Sequence, residues 1–231
     1  MADGSDRTRL PLFPLPDVVH FPRTELRIHV AEPRHRQLIH NVLEQEEEVR
    51  RIGVVLLKPG QRHDPIGRPE IFPGGTAGRL IQAEPQPDGS LQILLVGDFR
   101  FELQQEIAAG GRYREALVRP VQETWVDESD AGIVAVRRAV LDLVRSLAAE
   151  MGERFPFNAD EIELLGEQCD FEELINRLAA ECDLPALRKL QLLIEPLPER
   201  GLSVLSILRS RQQVLDLLRP FRRLAGRSEH N

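Results

Sequence analysis

A chain of 231 residues that is 42% hydrophobic can bury a sizeable core, as one large domain or as two small ones. Its net charge of −7 and its aromatic content of 5% disfavour binding to nucleic acid or to an anionic membrane. Two cysteines cannot form a disulfide framework. The N-terminus has no basic region followed by an apolar run, and no stretch approaches the length of a membrane helix, so a cytoplasmic protein is predicted.

The first forty residues predict the order strand, turn, strand, helix. A short apolar run begins at Leu10, and Leu26, Ile28 and Val30 then alternate with polar residues, as in a strand with one buried face. Pro33 stands where a first helical residue is expected, because proline lacks the N–H that would be unpaired there. One early helix is therefore predicted to start at about Pro33.

The next eighty residues predict a sheet. The run Ile52–Leu57 is continuously apolar, which is typical of a strand buried on both faces. Residues 61–75 are rich in proline and glycine and predict a surface loop, while Asp88-Gly89 predicts a hairpin turn. Further strands are predicted over 76–84, 91–96, 99–103 and 113–121. Together these segments favour a mostly antiparallel sheet or a partly closed barrel.

Near residue 127 the pattern changes from strand to helical periodicity. A long helix is predicted after Asp130, its N-cap, and is predicted to stop at Gly152. Three more helices are predicted over 171–182, 184–194 and 202–219, the last ended by Pro220. The chain is therefore divided into a β-rich part, 1–126, and an α-helical part, 127–231.

A search for catalytic patterns gives no candidate. The chain has no phosphate-binding loop, no HExxH pair and no G-x-S-x-G nucleophile. The glycine-rich stretch Pro73–Gly78 precedes a strand and is interpreted as a turn. The cysteines and histidines lack the spacing of a zinc site. No catalytic residue, metal site or cofactor is predicted.

A family resemblance covers nearly the whole chain. Its segments are, in order, LPLFPLPDVVHFP, LRIHVAEPRHRQLI, IGVVLL, GTAGRLIQAEPQPDGSLQILLVGDFRFEL, YREALV and LPALRKLQLLIEPLPERGLSVLSIL. This order resembles the N-terminal substrate-binding domain of Lon proteases, and in particular the stand-alone bacterial proteins of that type. The resemblance implies an α+β fold, a mostly antiparallel PUA-like β-barrel with an appended helical bundle. It also implies no enzyme activity, because the ATPase module and the Ser-Lys protease dyad of Lon are missing.

The resemblance implies a binding module for unfolded or exposed polypeptide, acting as an adaptor for a protease or a chaperone. The expected peptide-binding residues are Phe21, Pro22, Arg34, His35 and Phe72. His35 stands where the family usually has a tyrosine. The alternatives are an RNA-binding PUA-like protein and an enzyme for a small ligand at the barrel mouth. A homodimer formed through the last helix is a further alternative.

Overall fold

The computed structural model describes residues 7–60, 69–107 and 113–225, with backbone alone for 220–225. By their packing the residues form two compact units. One, here the sheet unit, consists of Met1–Glu123 and Asn176–Glu195; the other, the helical unit, consists of Thr124–Ile175 and Pro196–Asn231. The boundary predicted at residue 126 stays a prediction. The sheet unit also includes Asn176–Glu195, a segment from the helical half of the sequence.

Within the described residues of the sheet unit, six strands form one mixed sheet. They are β1 Thr8–Leu15, β2 Glu25–Val30, β3 Arg51–Leu57, β4 Ile71–Pro85, β5 Leu91–Ile107 and β6 Arg114–Val121. Their order is β2-β5-β4-β3-β1-β6, and β5 also pairs with β6. The sheet therefore curls back on itself through the long strand β5, leaving β2 outside the closure. The predicted α+β class is confirmed, with a barrel-like sheet that is not a clean barrel.

The hydrophobic patterns account for the strands they predict. In β2, Ile28 and Val30 are buried and the alternate residues are exposed, whereas the five central residues of β3 are all buried. The hairpin between β4 and β5 closes at Gly89, whose φ of 80° suits glycine. The Asp88 carboxylate accepts hydrogen bonds from the N–H and the hydroxyl of Ser90, which fixes the turn.

Two predictions in the sheet are wrong. Residues 91–96 and 99–103 were expected as separate strands but belong to the one strand β5, which continues through Gly97 because that residue pairs with Gly78. Residues 71–75 were expected in a loop, and Pro73–Gly78 in a turn, but β4 begins at Ile71 and runs through this stretch. Gly75 pairs with Val55 on one side and with Phe101 on the other. Pairing on both edges outweighs the low strand propensity of proline and glycine here. Residues 61–68 of the predicted loop lie outside the described residues.

Six α-helices are described: α1 Pro33–Leu43, α2 Ala131–Met151, α3 Ala159–Glu167, α4 Phe171–Glu181, α5 Ala186–Ile194 and α6 Leu197–Ala225. The predicted ends of α2 are confirmed. The Asp130 carboxylate accepts hydrogen bonds from the N–H groups of Gly132 and Ile133, and Gly152 follows the last helical residue. No helix in the described ranges is both long and apolar enough to cross a bilayer.

The helices differ from the prediction in three places. Helix α6 begins at Leu197 and not at residue 202, because Pro198 lies in its first turn, where proline costs no helical hydrogen bond. Helix α3 was not predicted, although Asn158 and Glu161 form a reciprocal capping box at its start. Pro220 does not end the last helix, which continues to Ala225. Proline removes one backbone hydrogen bond and strains the preceding turn, but it does not by itself force the chain out of helical geometry.

The environment of His20 predicts that the stability of the folded protein depends on pH. Its side chain is buried, Nε2 lies 2.9 Å from the Thr24 carbonyl oxygen and Nδ1 has no hydrogen-bond partner. Burial lowers the pKa of His20 to about 4, partly opposed by the Thr24 hydrogen bond. The unfolded chain therefore takes up the proton first, so stability should fall from about pH 6.5 towards pH 4, by roughly 3 kcal/mol. Urea titrations across this range should show that loss, and His20→Gln should reduce the slope; an unchanged slope would contradict the assignment.

Candidate functional site

A cleft forms in the sheet unit at the carboxyl ends of β1 and β3. Among the strands that the structure describes, these two make the one parallel pair, with Leu15 opposite Leu56. Because parallel strands end at the same edge, the turn after β1 and the turn after β3 are brought together. Pro16-Asp17 lie in the first turn and Lys58-Pro59 in the second. Two proline-containing segments thus form adjacent walls.

The start of α5 supplies the third wall of this cleft. The cleft has a volume of about 340 Å³ and is lined mainly by leucine, proline and alanine. Leu187, in the first turn of α5, is 44% exposed although it is a large aliphatic side chain. A cavity of this size is at the small end of ligand pockets. It can accept one or two apolar side chains of a partner, but it offers few polar groups for chemistry.

Lys58, which lines the cleft, is paired at the surface. Lys58 Nζ lies 2.8 Å from a carboxylate oxygen of Glu70, and this hydrogen-bonded lysine lowers the pKa of Glu70. Both side chains are substantially exposed, so the pair contributes little to stability. Most of the cleft lining is apolar, so apolar contact is the property that distinguishes this surface.

Arg100 of β5 holds the far end of α5 on the sheet. Its guanidinium donates hydrogen bonds to the carbonyl oxygens of Leu193, at 2.7 Å, and Glu195, at 3.0 Å. It also pairs with the Glu123 carboxylate at 2.8 Å. These carbonyls belong to the last turn of the helix, where backbone acceptors lack intrahelical donors. Arg100 therefore positions the helix whose first turn lines the cleft.

Strand β2 offers a second feature that suits an extended chain. In the described part of the sheet, every other strand pairs with two or more neighbours, whereas β2 pairs with β5 alone. In an antiparallel strand with one neighbour, every second residue directs its N–H and C=O away from that neighbour. Glu25, Arg27 and His29 are exposed along it. This edge can accept another strand by backbone hydrogen bonding.

The five predicted peptide-binding residues do not form one surface group. Phe21 and Pro22 are buried, and the Pro22 carbonyl oxygen accepts a hydrogen bond from Asn176 Nδ2 at 3.2 Å. Neither is offered to a ligand in this conformation. Phe72 is half-buried on β4. That these five residues bind a peptide remains a prediction. The cleft is lined by other residues.

Arg34 and His35 lie together at the start of α1. Arg34 pairs with Glu32 at 2.7 Å, and the His35 imidazole stacks on Phe13 with ring centroids 4.3 Å apart. Burial lowers the pKa of His35, so the ring is mainly neutral near pH 7. His35 thus acts as a packed flat ring, the role that an aromatic residue would have at this position. Both residues are half-buried.

Sequence reasoning missed the residues at the start of α5 that line the cleft, which are the N-cap Pro185 and the first-turn residues Ala186 and Leu187. In the sequence LPALRKLQLLI, Leu187 looks like one more apolar residue of an amphipathic helix. No signal in the spacing sets Leu187 apart, because it lies three residues before Leu190, which is buried, yet is itself exposed. That contrast is a property of the fold and not of the spacing.

No catalytic or metal centre emerges from the described residues. No group of three or more histidine, cysteine or acidic side chains there could hold a metal ion. Cys169 and Cys182 are buried thiols. The geometry of the described residues supports the binding of a partner.

Comparison with known proteins gives one consistent family. The model of the ATP-dependent protease La (LON) substrate-binding domain matches residues 9–210. The Lon protease of Flavobacterium johnsoniae is 29% identical over 210 residues, which are 90% of this chain and 25% of that protein. The Lon protease of Haemophilus influenzae is 24% identical over 231 residues, 98% of this chain and 27% of that protein. The chain spans about a quarter of the length of these relatives.

Two solved structures have the same fold. The N-terminal domain of Mycobacterium avium complex Lon protease superposes with a TM-score of 0.65 at 14% identity, covering 87% of this chain and 98% of that one. A Lon N-terminal domain protein from Xanthomonas campestris superposes with a TM-score of 0.59 at 24% identity, covering 85% and 95%. At these identities the likeness concerns the fold.

Proposed function

Because the chain belongs to the family of Lon substrate-binding domains, we propose that it binds unfolded or exposed segments of other polypeptides. The observation that carries this proposal is the family match over residues 9–210, whose description is that of a substrate-binding domain. The cleft supports it, since apolar side chains are the feature that unfolded segments expose and folded surfaces hide. The open edge of β2 supports it too, because an extended segment can pair there irrespective of its sequence.

We further propose that binding is the whole activity of this chain. The proposal is supported by the family match, which covers the substrate-binding part of Lon over residues 9–210. An adaptor of this kind would hold a client for a protease or a chaperone. The adaptor role, a cytoplasmic location and a homodimer through α6 are all predictions. The adaptor role depends on the binding of unfolded polypeptide.

Leu187→Gln should weaken the binding of an unfolded polypeptide about three- to tenfold. The substitution keeps the helix and the charge but removes an aliphatic side chain that is 44% exposed in the cleft. Covering such a side chain with a partner is worth about 1 kcal/mol. The measurement is fluorescence anisotropy with labelled, reduced and carboxymethylated α-lactalbumin.

Ile194→Gln is the matched control, because Ile194 lies on the same helix, is 62% exposed and does not line the cleft. It should change the affinity less than twofold. An equal loss of affinity in the two variants would mean that the polypeptide binds elsewhere on the chain. Single-stranded RNA in a parallel titration tests the alternative, since tight RNA binding with a steep salt dependence would favour the nucleic-acid role.

A further inference from the structure

A second and larger groove lies wholly within the helical unit. It has a volume of about 960 Å³ and runs between the last turns of α2, the segment 152–158 and α3. Its floor is apolar and is formed by Leu141, Ala148, Ala149, Phe155, Phe157 and Ile162. The Phe155 and Phe157 rings lie 6.1 Å apart, which gives the groove an aromatic end. A groove of this kind between helices suits the apolar face of an amphipathic segment.

The rim of this groove is strongly acidic. Glu153, Glu163 and Glu167 line it, are exposed and make no hydrogen bond or ion pair with another described residue. Glu161 also lines it but is engaged in the capping box with Asn158.

Little positive charge offsets these carboxylates at the groove. Of the described residues that line the groove, Arg145 is the one basic residue, and its guanidinium lies 3.4 Å from the Asp142 carboxylate. Elsewhere in the same unit an acidic residue of α2 has its own basic partner, as Glu150 pairs with Arg219 at 2.8 Å. Among the residues that the structure describes, none supplies a counter-charge to the three carboxylates around this apolar floor.

We propose that this groove docks polypeptide segments in which apolar side chains are flanked by lysine or arginine. Apolar anchors would cover the floor between α2 and α3, and the cations would face Glu153, Glu163 and Glu167. This inference rests on the proposed function and refines it, because it gives the class of client that the helical unit selects. A neutral or acidic segment gains only the apolar contact, and an acidic one is repelled by the rim.

The test uses a labelled peptide of sequence LLRRLLRRLLRRLL and its counterpart with glutamate in place of each arginine. Anisotropy is measured with the full chain at about 0.05 M and about 0.5 M salt. The groove variant carries Glu153→Gln, Glu163→Gln and Glu167→Gln. The matched control carries Glu44→Gln, Glu46→Gln and Glu48→Gln, three exposed acids of the sheet unit, so both variants change the net charge equally.

The groove variant should bind the arginine peptide about tenfold more weakly at low salt, and the control variant less than twofold more weakly. High salt should remove most of this difference, because exposed charges are screened. Ala149→Arg, which places a cation on the exposed part of the floor, should also weaken binding. An unchanged urea midpoint in each variant assigns the loss to the groove and not to unfolding.

Equal weakening by the two triple variants would overturn the inference, since the general field of an acidic protein would then explain the affinity. Equal binding of the glutamate peptide would overturn it as well. Failure of the arginine peptide to bind, while unfolded α-lactalbumin still binds in a manner sensitive to Leu187→Gln, would reject the groove and leave the proposed function standing. Light scattering that shows a dimer dissociated by the groove variant would identify a second copy as the occupant and also reject the proposal.

Discussion

Gly97→Ala should destabilise the protein by about 3 kcal/mol or more, the upper range for overpacking in a dense interior. A Cβ atom at this position would lie 2.1 Å from the carbonyl oxygen of Phe21 and 2.9 Å from the Cα of Pro22. Both contacts are with backbone, so no side-chain rotation relieves them. The same glycine exchanges backbone hydrogen bonds with Arg23 and Thr24, at 2.8 and 2.9 Å, and these would be disturbed when the turn shifts.

Urea denaturation at pH 7.5 measures this loss, with Gly166→Ala as the control. Gly166 lies inside α3, where an added Cβ would meet nothing closer than 3.6 Å, so alanine should be neutral or stabilising. If the Gly97→Ala variant unfolds at the same urea concentration as the parent chain, the 21–24 turn does not lie as close to β5 as described.

Arg100→Met should cost about 3–5 kcal/mol, because it removes one partner from a buried ionic network. The Arg100 side chain is 7% exposed and that of Glu123 is 18% exposed. Methionine fills a similar length but donates no hydrogen bond to the carbonyls of Leu193 and Glu195. The expected result is a marked fall in the urea midpoint, together with weaker binding at the cleft because α5 loses its anchor.

Arg119→Met is the control for this prediction. Arg119 pairs with Glu102 across the same sheet, but the two side chains are 58% and 48% exposed. Exposed pairs contribute at most about 1 kcal/mol, so the control should lose far less. Equal losses in the two variants would show that burial does not set the contribution of Arg100. Arg100→Lys separates charge from geometry, since lysine keeps the cation without the fork of donors.

Local patterns predicted those elements whose cause is local. The alternation of Leu26 to Val30, the apolar run from Ile52 and the Asp88-Gly89 turn each specify their own backbone, and all three are found. The N-cap at Asp130 and the stop at Gly152 depend on neighbours within four residues, and both are found. The capping box at Asn158 is also local, and the missed helix α3 could have been predicted from it.

Long-range pairing explains what the sequence did not predict. The parallel pairing of β1 with β3 joins residues about forty positions apart, and no spacing in either strand indicates it. The cleft depends on this pair and on α5, which is more than a hundred residues further along the chain. Phe21 was expected among the peptide-binding residues and is buried. The sequence could not separate the two positions, because an apolar residue has the same composition signal in a core and in a groove.

The central claim is that this chain binds unfolded polypeptide, and direct titration tests it. Labelled, reduced and carboxymethylated α-lactalbumin is titrated with the purified chain in about 0.15 M salt, where repulsion between two acidic proteins is largely screened. We predict saturable binding that changes little as salt is raised further, since the cleft is apolar, and no binding to the same α-lactalbumin in its native, disulfide-bonded form. Failure to bind the unfolded form, or equal binding of the native form, would contradict the account.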